Sequence, residues 1–198
     1  MPKPSNRERI LEAGLKVMFA KGYVGAGVRD IVAEALSPQG SFTNHFRSKE
    51  DFAREVLDLY FEHTKRLVAE ALDDRSLKPR ERIRLYLDII TGRLAAAEFS
   101  RGCLIGDFSL EAAPQSESLR TRLDEIFAEW RAPFAACIAE GQAAGEIATT
   151  FAPQDLAEFL LSSWEGAILR MKVERNAEPL ERFKRIAFMT VFKDHAHE

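Results

Sequence analysis

Hydrophobic residues recur at helical spacing along almost the whole chain. Near the start, Ile10, Ala13 and Val17 fall on one face of a helix, because residues three and four positions apart share a face. Later apolar segments repeat this spacing, and none shows the strict alternation of hydrophobic and polar residues that is typical of a half-buried strand. The pattern predicts an all-α protein with about nine helices.

Several helix ends are marked by residues that complete hydrogen bonds at helix termini. Ser5 and Glu8 have the spacing of a capping box at the start of the first helix, and Gly22 is placed to end it. Ser48 is the predicted N-cap of a long fourth helix that reaches about Leu72. Prolines, which are favoured in the first turn of a helix, predict further starts at Pro38, Pro79, Pro153 and Pro179.

The third predicted helix has an unusual distribution of large and small residues. Phe42 and Phe46 stand four apart, and residues 43–45 between them are Thr, Asn and His. If both rings face inward, the polar side chains face outward, where they can contact base edges and phosphates. A tight turn around residues 36–37 joins the second and third helices. Three short helices with such a turn form a helix-turn-helix arrangement.

The candidate DNA contacts lie on the second and third helices and just beyond them. Gly40 would let the backbone approach a duplex closely, and Arg47 and Lys49 would suit the phosphate backbone. The start of the second helix near Gly27 could offer backbone N–H groups to a phosphate. The predicted DNA-contacting residues are Gly27, Arg29, Gln39, Gly40, Ser41, Thr43, Asn44, His45 and Lys49.

The charge of the chain is distributed unevenly. Hydrophobic residues at 46% and charged residues at 30% are ordinary for a globular protein, and a net charge of −3 excludes a uniformly basic coat for nucleic acid. Residues 1–54 hold nine Lys/Arg against six Asp/Glu, whereas residues 55–198 hold nineteen against twenty-five. This asymmetry is compatible with DNA binding by residues 1–54. Without a membrane-length apolar run or a signal peptide, a cytoplasmic protein that does not enter the membrane is expected.

The run GYVGAGVRDIVAEALSPQGSFTNHFRSKEDF resembles the amino-terminal signature of the TetR family of transcriptional regulators. The resemblance covers roughly residues 5–55 and implies a helix-turn-helix DNA-binding domain at 1–50 and a helical effector-binding and dimerisation domain at 51–198. It further implies a homodimeric repressor that binds a palindromic DNA operator, is released by a small-molecule effector and needs no cofactor. The matching pieces are Gly22-Tyr23, Arg29-Asp30-Ile31, Gly40-Ser41-Phe42, Asn44-His45-Phe46 and Ser48-Lys49-Glu50.

Four positions depart from the family pattern. Leu36-Ser37 stands where Gly-Val is usual in the turn, and Gln39 stands where Lys is frequent. Thr43 takes the place of the commonest residue, Tyr, and Gly27 replaces a hydroxyl-bearing N-cap. These departures leave the operator sequence and the affinity open.

The resemblance also implies that the last two helices pack against a second copy in a four-helix bundle. Small residues there would allow close approach of helices, and three phenylalanines would supply contact area. These residues are Ser162, Ser163, Gly166 and Ala167, with Phe159, Phe183 and Phe192.

Cys103 follows Arg101 and Gly102 at a predicted helix start, and a nearby cation and a helix N-terminus both favour a thiolate. The Gly-Cys-Leu segment is similar to a TetR subgroup that includes electrophile- and acrylate-responsive repressors, which implies a small reactive or acrylate-like effector. The alternative is that Cys103 is a small buried hydrophobic residue. A candidate effector pocket, whose aromatic members could equally be core, comprises Cys103, Phe108, Trp130, Phe134 and Trp164.

Two other classes of protein remain open from the sequence. One is a helical small-molecule carrier or enzyme without sequence-specific DNA binding, and the other is a helical module that binds protein partners. No carboxylate pair, nucleophile constellation or metal-ligand spacing stands out, so neither a catalytic site nor a metal site is predicted. His195 and His197 lie in a terminal tail for which metal binding is not expected.

Overall fold

A computed structural model describes residues 5–193, and these residues form nine α-helices without any strand. The all-α prediction and the predicted number of helices are confirmed; His195 and His197 lie outside the described residues. The helices are α1 (Asn6–Gly25), α2 (Val28–Glu34), α3 (Gly40–His45), α4 (Lys49–Leu72), α5 (Pro79–Ala96), α6 (Leu104–Glu111), α7 (Glu117–Ala143), α8 (Pro153–Glu174) and α9 (Glu178–Met189). In this described part of the chain, no helix is both long and apolar enough to cross a membrane.

The two predicted serine caps are present at the starts of α1 and α4. At α1 the Glu8 amide donates to Ser5 Oγ at 3.2 Å and the Ser5 amide donates to the Glu8 carboxylate at 2.7 Å, so the capping box is present. Ser48 Oγ accepts a hydrogen bond from the Asp51 amide at 2.9 Å and caps α4. Both ends of α4 therefore agree with the sequence pattern.

Two predicted helix boundaries differ from the structure by two or more residues, and α9 begins at Glu178, one residue before the predicted Pro179. α3 begins at Gly40 rather than at Pro38, because the Pro38 carbonyl accepts the Ser41 amide at 2.9 Å in a turn that precedes the helix. Gly22 has the expected positive φ, of 72°, but one further helical turn follows it before α1 ends at Gly25. α1 therefore contains a break that only glycine adopts readily.

The described helices group into two compact units. The first contains residues 5–63 together with Leu104–Ile126, and the second contains Thr64–Cys103 together with residues 127–193. α6 thus belongs to the same unit as the three amino-terminal helices, although about 40 residues of the second unit separate them along the chain.

The first unit is centred on three phenylalanine rings. Phe42 and Phe46 of α3 lie 5.3 Å apart between ring centroids, and Phe52 of α4 lies 5.0 Å from Phe42 and 4.7 Å from Phe46. All three rings are buried. Gly14 of α1 faces this cluster, and a Cβ at that position would collide with the Phe52 ring. The close approach of α1 and α4 therefore depends on glycine at this position.

In the second unit, α9 is held against α8 and α5. Trp164 of α8 lies 5.5 Å from Phe183 of α9 between ring centroids. The buried ammonium of Lys184 pairs with Asp88 of α5 at 2.7 Å. Phe192 is fully buried within its own chain, so the expectation that it supplies area to a dimer interface is wrong.

Candidate nucleic-acid interface

The α3 helix exposes the polar residues that the sequence singled out. Its two phenylalanines face the core, and this rotation of the helix directs the intervening side chains outward. Thr43 is further fixed by a hydrogen bond from its hydroxyl to the Gly40 carbonyl at 3.1 Å. Ser41 is half-buried, and the exposed members are Gln39, Gly40, Thr43, Asn44 and His45.

At the start of α2, the amide of the N-cap residue Gly27 is already paired within the chain. The Gly27 amide donates to the Asp30 carboxylate at 3.3 Å, and the same carboxylate pairs with Lys21 at 2.9 Å. The hydrogen bond from Lys21 and that from the Gly27 amide both lower the pKa of Asp30. Because the Gly27 amide is occupied in this way, the exposed guanidinium of Arg29 is the more accessible donor on this helix.

The turn between α2 and α3 adopts a left-handed conformation at Leu36, whose φ is 50° and whose side chain is 86% exposed. Such a conformation costs a non-glycine residue about 1–2 kcal/mol. Two side chains of α1 support the turn. The Arg9 guanidinium donates a hydrogen bond to the Ala35 carbonyl at 2.6 Å, and the Asn6 amide oxygen accepts one from the Ser37 hydroxyl at 2.8 Å. The unusual Leu36-Ser37 pair therefore still forms a tight turn, held by α1.

Lys49 is less accessible than the sequence prediction assumed. Its ammonium donates to the Val24 carbonyl at 3.2 Å and lies 4.9 Å from the centre of the Tyr23 ring. Burial lowers the pKa of Lys49, and the carboxylate of Glu111 opposes that effect. Nothing in the sequence singled out Glu111. It is one of many acidic residues of the chain, and its helix is remote in sequence from Val24.

The predicted effector-pocket residues are all buried but do not belong to one unit. Phe108 lies in the first unit, 5.6 Å from the Tyr23 ring. The other four, Cys103, Trp130, Phe134 and Trp164, lie in the second unit.

Within the second unit, Tyr86 is a central residue that the sequence did not reveal. Its ring lies 4.9 Å from that of Phe134. Burial raises the pKa of the Tyr86 phenol, and the neighbouring Cys103 and Glu165 add to the rise. The signal in the sequence was only a tyrosine at an apolar position of a helix, which is typical of core residues. Tyr86 thus places a phenol within electrostatic range of Cys103.

The outer face of the last two helices carries exposed apolar residues. On α8, positions 159, 162, 166, 169 and 173 follow one another at alternating spacings of three and four, and Phe159, Leu169 and Val173 are exposed. Ile186 and Met189 of α9 are exposed as well. An apolar stripe at this spacing is typical of a helix that packs against a partner helix.

Neither a disulfide nor a metal-binding group is found among residues 5–193. Cys103 and Cys137 are both buried and are not joined to each other. No group of three or more His, Cys, Asp or Glu side chains in this part of the chain could hold a metal ion.

The 20-residue α1, the short helices α2 and α3, the tight turn between them and the exposed polar face of α3 define a helix-turn-helix DNA-binding protein. Residues 10–56 match the family described as bacterial regulatory proteins, tetR family, and residues 79–187 match the tetracyclin repressor-like C-terminal domain. The chain belongs to the TetR family of transcriptional regulators.

Three relatives illustrate this membership. The chain is 45% identical over 188 residues to the HTH-type transcriptional repressor DhaR of Mycobacterium sp. (strain GP1), covering 95% of this chain and 93% of DhaR. It is 36% identical over 178 residues to the transcriptional regulator AcuR of Cereibacter sphaeroides, covering 90% of this chain and 81% of AcuR. A structure of a cysteine mutant of the regulator CifR with 26-base-pair operator DNA superposes with a TM-score of 0.78 at 27% identity, covering 93% of this chain and 97% of CifR.

Proposed function

We propose that this protein is a one-component repressor whose homodimer binds a palindromic DNA operator and leaves it when a small-molecule effector binds. The observation that carries the DNA-binding part is the α3 helix, which is fastened by buried Phe42 and Phe46 and presents Thr43, Asn44 and His45 to solvent. Such side chains can donate hydrogen bonds to base edges in the major groove and accept hydrogen bonds from them. The names of DhaR and AcuR as regulators support the same function.

The apolar stripe on α8 and α9 supports dimerisation through these helices. A groove of about 260 Å³ runs between them, lined by Gly166, Ala167, Pro179, Phe183 and Ile186 along with charged residues at its edge. A side chain from the same face of a second copy would fill this groove and cover the stripe. A symmetric dimer of this kind would place two α3 helices in major grooves about 34 Å apart, or a multiple of that distance.

The test of this function is selection from a pool of randomised duplexes with the purified full chain at moderate salt. We expect a palindromic consensus that binds at least ~10³-fold more tightly than scrambled DNA. A folded, dimeric protein that enriches no sequence would contradict the proposal and favour the carrier or enzyme alternative.

His45→Ala is expected to weaken binding to the selected operator by roughly 5- to 150-fold, since loss of a base contact costs about 1–3 kcal/mol. Affinity is measured by fluorescence anisotropy, and the dimer by light scattering. The matched control is His63→Ala, the same change on α4 outside the proposed interface. If both variants bind the operator equally well, His45 is not part of the DNA-contacting surface.

For the effector, we propose an electrophilic or acrylate-like compound that acts at or beside Cys103. The support is the position of Cys103, which is buried within electrostatic range of Tyr86 and immediately precedes α6. Burial raises the pKa of the Cys137 thiol to about 11, which keeps this thiol protonated at neutral pH. Cys137→Ser is therefore the matched cysteine variant.

Acrylate and N-ethylmaleimide are therefore expected to release the wild-type protein and Cys137→Ser from the operator. In the maleimide reaction the thiolate sulfur bonds to one alkene carbon and a solvent proton adds to the other. Cys103→Ser is expected to stop release by N-ethylmaleimide, measured by anisotropy alongside mass spectrometry of the adduct. Release of Cys103→Ser by N-ethylmaleimide at the wild-type concentration would contradict a sensing role for this thiol.

A further inference from the structure

Glu111, the last residue of α6, contacts the carboxyl-terminal end of α1. Its carboxylate accepts a hydrogen bond from the Val24 amide at 3.0 Å, although the two residues are 87 positions apart in the sequence. The carboxylate occupies the space beside Gly22, where a Cβ would collide with it. Because Gly22 also has a φ of 72°, glycine is required there both by the backbone and by the carboxylate.

The carbonyl group of Val24 is held by a side chain of α4. The Val24 carbonyl accepts from the Lys49 ammonium at 3.2 Å, so side chains from two different helices hold the amide and the carbonyl of Val24. The Tyr23 ring lies between these elements, 4.9 Å from the Lys49 ammonium and 5.6 Å from the Phe108 ring of α6. Residues 22–24, which we call the α1 end segment, are thus held in place by contacts with α4 and α6.

We propose that Glu111 is a positioning residue for operator binding. By fixing the α1 end segment, it sets the place of the Val24 carbonyl and hence of the Lys49 ammonium, one of the predicted phosphate contacts. Operator affinity then depends on α6, a helix that carries none of the predicted DNA contacts. This inference rests on the proposed function and adds to it a route by which α6 can alter DNA binding.

The sign of the effect separates positioning from simple electrostatics. An acidic side chain in the DNA-binding unit repels the phosphate backbone, so removing its charge alone would strengthen binding. Loss of a positioning contact instead weakens binding, because the Lys49 ammonium no longer meets its phosphate and the number of phosphate contacts falls by about one. The dependence of affinity on salt reports that number, because the logarithm of the binding constant falls with the logarithm of the salt concentration by about 0.9 per phosphate contact.

The experiment compares the selected operator's affinity for wild type, Glu111→Ala and Glu111→Gln between about 50 and 200 mM salt. Glu111→Ala is expected to bind roughly 5- to 20-fold more weakly, within the usual range of coupling between sites, and with a salt slope smaller by about 0.9 because one phosphate contact is lost. Glu111→Gln keeps an acceptor oxygen and is expected to restore most of the affinity. Glu12→Ala, which removes an exposed acid of α1 in the same unit, is the control for charge alone.

Gly22→Ala provides a second variant, because its methyl group displaces the Glu111 carboxylate without removing it. It is expected to weaken operator binding as Glu111→Ala does, and both should speed hydrogen exchange at the Val24 amide. Wild-type affinity of Glu111→Ala, tighter binding, or a Gln variant as weak as the Ala variant would each overturn the positioning role. Failure of the wild type to select any operator would instead overturn the proposed function.

Discussion

Phe52→Ala is expected to lower the free energy of unfolding by about 3–5 kcal/mol, the usual cost of removing a fully buried phenylalanine. The ring contacts both Phe42 and Phe46 and fills the space opposite Gly14, so its loss leaves a cavity beneath α3. Typical domains are stable by only 5–15 kcal/mol, so this loss is a large share of the total. Operator binding should fall with it, because α3 loses the support that orients its polar face. Urea unfolding and anisotropy measure the two effects.

Phe151→Ala is the control for this experiment, since it makes the same chemical change at a ring that is 61% exposed. Its stability should remain within about 0.5 kcal/mol of the wild type. A Phe52→Ala protein with wild-type stability and operator affinity would show that the phenylalanine cluster is not what holds α3.

Trp164→Ala is expected to have a comparably large effect in the second unit and to abolish the dimer. The indole is fully buried against Phe183, and truncation of a buried tryptophan costs about 3–5 kcal/mol. Because this contact holds α9 alongside α8, its loss disturbs the apolar stripe that the two helices expose. Light scattering as a function of protein concentration measures dimerisation, and urea unfolding measures stability.

Trp130→Ala separates the specific effect from general destabilisation. Trp130 is also buried in the second unit but lies on α7 rather than on the α8–α9 pair. Its truncation should lower stability by a similar amount while the folded protein stays dimeric. Equal dimer affinities for Trp164→Ala and the wild type would contradict the assignment of α8 and α9 as the dimer interface.

The sequence was most informative where a local rule decides the structure. Ser5 and Ser48 mark the starts of α1 and α4 because their hydroxyls can satisfy only nearby amides. The start of α3 was missed by two residues because Pro38 is equally at home in a turn and in a first helical turn. Phe192 was misassigned to the dimer because hydrophobic spacing alone does not distinguish an internal face from an intermolecular one.

In the candidate site, the polar face of α3 followed from two phenylalanines four positions apart. The environment of Lys49 did not, because its partners Val24 and Tyr23 lie on another helix and Glu111 on a third. Contacts between residues so distant in sequence leave no periodic signal in a single chain. The electrostatic link between Tyr86 and Cys103 was hidden for the same reason.

The membership of Leu104–Ile126 in the first unit matters for anyone who recombines regulators of this kind. A hybrid gene that joins the amino-terminal 50 residues to a foreign sensor would discard Glu111 and Phe108, which contact Val24 and Tyr23. The transplanted DNA-binding domain would keep the side chains that face the bases and lose residues that hold its own helices in place. A functional hybrid therefore has to carry two separate stretches of the gene. The DNA-binding unit of this protein is discontinuous in the sequence.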